Sequence, residues 1–223
     1  MMKRHASIVI AIIIAIVSVF AGMLLSRALF QPTASAVHGE GPANALEAGT
    51  VLDPPKPLPS FQLIDHTGNP FTNEHLQGRW TFVFFGFTNC PDVCPMTLHT
   101  LAQVEQSLAD LPESERPRVT LISVDPARDT PEQLAKYVAY FNPSFVGVTG
   151  EEGALNEFTR EVGVPVVITS TGDGAYTVDH SAAIFLINPQ GEIRALFSPP
   201  HTPQAIAADY RQLVLGTDAR SDG

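Results

Sequence analysis

The sequence predicts an α/β sandwich, a central mixed sheet with helices on both faces, behind an N-terminal transmembrane helix. Three observations predict it: a charge-free run from Ser7 to Leu25, short buried-strand patterns alternating with helical periodicity from Trp80 onward, and a closing hairpin followed by an amphipathic helix. The 223 residues, 44% of them apolar, suffice for one mid-sized domain beyond that leader.

The leader has about the length that a helix needs to cross the hydrocarbon core of a bilayer. Lys3 and Arg4 flank its start and only Arg27 follows closely, an asymmetry that keeps the N-terminus cytoplasmic and exports the rest. This predicts a single-pass protein of the inner (cytoplasmic) membrane, embedded through residues 7–25, with its domain in an oxidising periplasm. Ala34-Ser35-Ala36 looks like a cleavage site, but the apolar run is longer than a usual signal h-region and ends well upstream. Residues 1–26 therefore read as an anchor, and cleavage would export the same domain. Residues 27–57, rich in Ala, Gly and Pro, read as a flexible tether, 58–216 as the folded domain and 217–223 as a disordered tail.

Within the domain, Phe61 to Ile64 alternates ahead of His66-Thr67-Gly68-Asn69, which predicts a hairpin ending near Phe71. Trp80 to Phe87 is almost continuously apolar, too short for a helix and suited to a strand buried on both faces. Thr88-Asn89 break it; with Pro95 in a first turn, Leu98, Leu101, Ala102, Val104 and Leu108 then follow at helical spacing. Val119 to Val124 predicts the next strand. Thr130-Pro131-Glu132-Gln133 combines an N-cap, a first-turn Pro and a capping-box Gln ahead of a helix to about Phe141. A strand at Phe145 to Val148 and a helix at Glu151 to Val162 come next, stopped by Gly163-Val164-Pro165. Val166 to Thr169 and Tyr176 to Val178 flank Thr171-Gly172-Asp173-Gly174 as one hairpin. Ala182 to Ile187 and Ile193 to Phe197 flank Asn188-Pro189-Gln190-Gly191 as another. Thr202-Pro203 opens a last helix with Ile206, Ala207, Tyr210, Leu213 and Val214 on its apolar face. A β-α-β opening followed by a hairpin and a terminal helix is the order of a thioredoxin-like fold.

The charge balance excludes one class of partner. With 23 acidic against 13 scattered basic residues, the chain lacks the field that holds phosphate backbones, so no nucleic acid is expected.

Cys90 and Cys94, the two cysteines of the sequence, fall at a strand-to-helix junction. Four residues apart in a first helical turn, their sulfurs share one face, and the N–H groups of a helix start favour the thiolate. Two soft sulfurs suit Cu(I). A plain structural disulfide competes as a reading of an exported pair, yet so short a loop removes little entropy from the unfolded chain. Among the histidines, His5, His38 and His66 fall in leader, tether and first turn, His75 and His99 on surface turns or helix faces, and His201 near a cap. His180, after the Gly-rich hairpin and just before a strand, is the best third donor. Met96 points off the cysteine face and reads as core. Asp92 and Asp179 are candidates to orient a ligand, with a solvated turn residue as the equal reading.

Three segments together resemble the Sco/SenC copper-binding proteins across nearly the whole exported domain: Gly86-Phe87-Thr88-Asn89-Cys90-Pro91-Asp92-Val93-Cys94-Pro95, Ser123-Val124-Asp125-Pro126-Ala127-Arg128-Asp129-Thr130-Pro131, and Val178-Asp179-His180-Ser181. The resemblance implies one copper ion, Cu(I) or Cu(II), held by Cys90, Cys94 and His180. It also implies assembly of the dinuclear copper centre of cytochrome c oxidase subunit II, by delivering copper or by reducing that subunit's cysteines, with another copper carrier or a thiol reductant as a further partner. In the second segment, Asp125 and Asp129 flank Arg128 and read as N-cap and local ion-pair residues.

Two rivals come from other classes. A thiol-disulfide oxidoreductase would use a reversible Cys90–Cys94 bond, but the spacing departs from C-x-x-C and leaves His180 without a role. A peroxiredoxin-like peroxidase would carry a Pro and a Thr or Ser where Val83 and Phe87 stand. The sequence therefore reads as a metallochaperone rather than an enzyme.

Overall fold

The computed structural model of the chain describes residues 46–172 and 174–221; the anchor assigned to residues 1–26 lies outside them. Among the described residues the strands are β1 (Gly49–Pro57), β2 (Gln62–Asp65), β3 (Pro70–Thr72), β4 (Thr81–Gly86), β5 (Arg118–Ser123), β6 (Val146–Thr149), β7 (Val166–Gly172), β8 (Ala175–His180), β9 (Ile184–Ile187) and β10 (Glu192–Phe197). The α-helices are α1 (Val93–Ser107), α2 (Pro131–Phe141), α3 (Glu152–Val162) and α4 (Pro203–Ser221). No helix among the described residues is long and apolar enough to cross a membrane.

Every residue of β4 is buried, as its unbroken apolar run requires, and it lies inside an eight-stranded sheet of order β1-β10-β9-β4-β5-β6-β2-β3. β4 runs parallel to β5 and antiparallel to β9, so the sheet is mixed. Successive side chains of a strand point to opposite faces, and β4 shows what covers each face. Phe82 packs against Tyr210 of α4, with ring centroids 5.5 Å apart. Phe85 packs against Phe158 of α3 at 6.0 Å on the other side. Helices on both faces of a mixed sheet give the thioredoxin-like sandwich that the element order predicts.

The local signals hold where the chemistry was specific. The Thr130 hydroxyl accepts the Gln133 N–H at 3.3 Å while the Gln133 side chain accepts the Thr130 N–H at 3.0 Å, closing the capping box of α2. Gly163 ends α3 at φ 91°, a left-handed conformation that only glycine adopts without penalty.

Two boundaries differ from the sequence reading, and one predicted hairpin stands apart from the main sheet. Gly49–Pro57, assigned to the flexible tether, forms edge strand β1 on β10; its prolines mimic a linker, but an edge strand has unpaired positions that need no N–H. The last helix continues to Ser221, through residues assigned to a disordered tail. The hairpin β7–β8 forms its own two-stranded ribbon apart from the main sheet.

Asp209 explains why β1 belongs to the domain. Its buried carboxylate accepts the backbone N–H groups of Glu47 at 2.7 Å, Ala48 at 2.8 Å and Gly49 at 2.9 Å. Gly49 itself must be small, since a Cβ there would lie 2.8 Å from the Phe197 ring. Asp209→Ala is therefore expected to lower the unfolding free energy in urea by about 2–3 kcal/mol. Starting the chain at Leu58 instead of at residue 45 should destabilise it at least as much, because β1 is then lost from β10.

Candidate metal centre

The centre begins with the close approach of a helix to the end of β4. At Gly86 a Cβ would lie 2.8 Å from Phe84 and 3.0 Å from the Cys94 sulfur, so only glycine lets the first turn of α1 settle onto the strand end. Cys94, in that turn, is fully buried. Cys90 precedes the helix, in a turn closed by its own N–H donating to the Phe87 carbonyl at 3.3 Å, and is half-buried. The Cys94 N–H, left without a helical partner so near the helix start, points at the Cys90 sulfur at 3.4 Å. The pair is thus one loop cysteine and one helix cysteine. The shared helix face expected from their spacing is replaced by this bend, because α1 starts only at Val93.

His180 arrives from the last residue of β8. Its Nε2 lies 3.4 Å from the Cys94 sulfur, and its Nδ1 lies 2.9 Å from the Ser181 carbonyl oxygen. A carbonyl only accepts, so Nδ1 carries the proton and the Nε2 lone pair faces the sulfurs. Phe84 and Phe87 pack around the ring at centroid distances of 5.9 and 5.7 Å. One donor atom each from Cys90, Cys94 and His180 then falls within 4.8 Å of the other two, and this is the metal-competent group of side chains among the described residues.

Electrostatics here run against the expectation of an easily formed thiolate. Burial pushes the Cys94 thiol far above its ordinary value, with the neighbouring Cys90 adding to the shift. Burial likewise pushes His180 down, against smaller opposing effects from the Ser181 carbonyl and Asp179. The resting site therefore holds a neutral thiol against a neutral imidazole. A soft cation entering it takes the place of thiol protons, so binding releases protons. Two sulfurs and one imidazole form a donor set that fits copper.

The other sequence candidates separate clearly. Met96 is 63% exposed rather than core, because α1 turns that face outward. Asp92 is exposed at the N-cap of α1 without a capping hydrogen bond. Asp179 points outward from β8, opposite to His180. His66 and His75 accept backbone N–H groups of Gly147 and Thr72, and His201 bonds the Ala182 carbonyl, all structural tasks. Val83 and Phe87, the positions where a peroxidase would carry a Pro and a Thr or Ser, are buried and apolar.

Sequence reasoning missed the support of the site. Asp125 and Asp129, read as local cap and ion-pair residues, are each 1% exposed; the local Asp125–Arg128 pair forms, and both carboxylates also reach across the fold. Asp129 accepts the Thr88 N–H at 3.1 Å, the Thr88 hydroxyl at 2.5 Å and the Ser123 hydroxyl at 2.6 Å, tying down the loop before Cys90. Asp125 accepts the Tyr176 hydroxyl at 2.6 Å and pairs with Arg128, whose guanidinium lies 4.0 Å from the Tyr176 ring centroid. The Ser123–Pro131 segment carried the signal, but nothing in it names Thr88 or Tyr176.

The SCO1/SenC family model matches residues 52–215. A protein of Stutzerimonas stutzeri named for copper binding is 38% identical over 162 residues, covering 70% of this chain and 78% of that one. The mitochondrial SCO2 homolog of Mus musculus is 35% identical over 158 residues, 69% of this chain and 61% of the relative's own length. The structure of Bradyrhizobium japonicum ScoI with copper bound superimposes with a TM-score of 0.64 at 34% identity, covering 70% of this chain and 98% of that one.

A pH dependence follows from the raised Cys94 thiol. As pH rises past its ordinary value of 9.0, the unfolded chain loses this proton first while the folded one keeps it. The stability contributed by the buried neutral thiol is thus complete below that pH and lost above it. The metal-free domain should lose unfolding free energy above pH 9, and Cys94→Ala should flatten that slope in urea titrations. An unchanged slope would show that burial of this thiol does not govern alkaline stability.

Proposed function

The chain belongs to the SCO1/SenC family, and we propose that it is a copper chaperone that binds one copper ion through Cys90, Cys94 and His180 and serves cytochrome c oxidase assembly. The observation that carries this reading is the convergence of two sulfurs and an unprotonated imidazole nitrogen within 4.8 Å, drawn from a loop, a helix and a strand end. Such a set holds Cu(I) with low coordination and also accepts Cu(II). The half-buried Cys90 gives a partner's ligands a way in, so the ion is exchangeable, as delivery requires. The proposal extends to an inner-membrane anchor at residues 7–25, a periplasmic domain, and subunit II of the oxidase as recipient.

Thiol-disulfide exchange is the second reading, supported by the proximity of the two sulfurs and the accessibility of Cys90. In it the Cys90 thiolate attacks a partner disulfide and Cys94 resolves the mixed disulfide, so two electrons pass to the partner and a Cys90–Cys94 bond remains. This reading gives His180 no ligand to hold.

The domain beginning at residue 45, reduced and loaded with copper, should retain one ion per chain with a thiolate charge-transfer band. His180→Ala should lose most of that affinity and shift the band, and Cys90→Ser should abolish it. Equal binding by wild type and His180→Ala, or none by either, would transfer the assignment to thiol exchange.

A further inference from the structure

The ribbon β7–β8, which brings His180 to the cysteines, is not hydrogen-bonded into the main sheet, so something else must set where His180 stands. Residues two apart on a strand share a face, which places Tyr176, Val178 and His180 on one side of β8. All three engage the body of the domain. Val178 is buried in the core, His180 meets Cys94, and Tyr176, near the tip of the ribbon, donates its hydroxyl to Asp125 at 2.6 Å. Arg128 holds the same ring from above at 4.0 Å and also lies 5.8 Å from the Phe87 ring. Phe87 in turn touches His180. Arg128 therefore stands between the end of the strand that leads to the cysteines and the ribbon that carries the histidine.

We propose that Asp125, Arg128 and Tyr176 form a latch that holds the β7–β8 ribbon against the domain and so positions His180 Nε2 on the Cys94 sulfur. The inference rests on the copper reading for its consequence but not for its structural part. Asp125 is buried and anchored by the loop after β5, with its own N–H donating to the Ser123 hydroxyl at 3.1 Å, so the fixed end of the latch belongs to the sheet. Tyr176, half-buried, is the end that the ribbon carries. The carboxylate beside it pushes the Tyr176 phenol up, which keeps it a donor.

Tyr176→Phe tests the latch with little risk to folding, since it deletes one hydroxyl at a half-buried position. In the metal-free protein, amide exchange along the β7–β8 ladder should quicken and the His180 ring resonances should shift, while β4 and β5 stay protected. In the copper-loaded protein, affinity should fall about tenfold or somewhat more, the cost of a hydrogen bond to a charged acceptor. That loss should vanish when Tyr176→Phe is combined with His180→Ala, because the latch acts through His180. Arg128→Lys, which keeps the charge but not the flat stacked group, should move the same readouts in the same direction. Unchanged amide exchange and unchanged His180 resonances in Tyr176→Phe would overturn the latch whatever copper does, as would a copper effect that persists in the His180→Ala background. A loosened ribbon with copper binding indifferent to both Tyr176 and His180 would leave the latch standing and overturn the copper reading instead.

Discussion

The site depends on one close approach, that of the first turn of α1 to the end of β4. Gly86 has no side chain to hold the helix away, and the Cys94 sulfur occupies the space that a Cβ would crowd at 3.0 Å. The strand is buried on both faces and cannot move without moving the core. A sulfur pressed against it becomes a fixed point, and the other two donors are brought to that point by less rigid elements. Cys90 comes on a turn and His180 on a ribbon, so the rigid ligand and the adjustable ligands are divided by burial. For a copper ion held and then handed on, as proposed for this chain, that division has a clear physical sense: the accessible donors lead the exchange while the buried one keeps its place.

Two buried aspartates extend this logic across the fold. Buried carboxylates are costly unless hydrogen-bonded, and each of these is satisfied by one local and one distant group: Asp129 by Ser123 and Thr88, Asp125 by Arg128 and Tyr176. Burial still pushes the Asp129 carboxyl up despite these donors. The loop between β5 and α2 thus orients the approach to Cys90 on one side and the His180 ribbon on the other, without touching the donors themselves.

The electrostatics of the Cys94 thiol show two effects in competition. A helix start stabilises a nearby thiolate, but Cys94 has lost its contact with water, and desolvation of the charged form, the largest influence on it, outweighs the hydrogen bond it receives at Phe87. The neutral thiol and neutral imidazole are matched partners, since neither places a net charge in the interior. A cation changes that balance, since it compensates the thiolates in place, where water cannot.

The sequence by itself determined the sandwich and the three donors. Strand and helix periods, the Thr130–Gln133 box and the Gly163 stop are local signals, readable because each depends on neighbours a few residues away. The three candidate donors were legible for a different reason, in that two short motifs carried them and a third between them fixed the resemblance. What only the tertiary structure decided lies between distant segments. β1 looked like a linker until Asp209 took up its N–H groups. Asp125 and Asp129 looked like local cap residues until Tyr176 and Thr88 met them. The Cys94 thiol looked reactive until the β4–α1 packing buried it. Burial and long-range hydrogen bonding are set by which surfaces meet, and no window of sequence contains both partners.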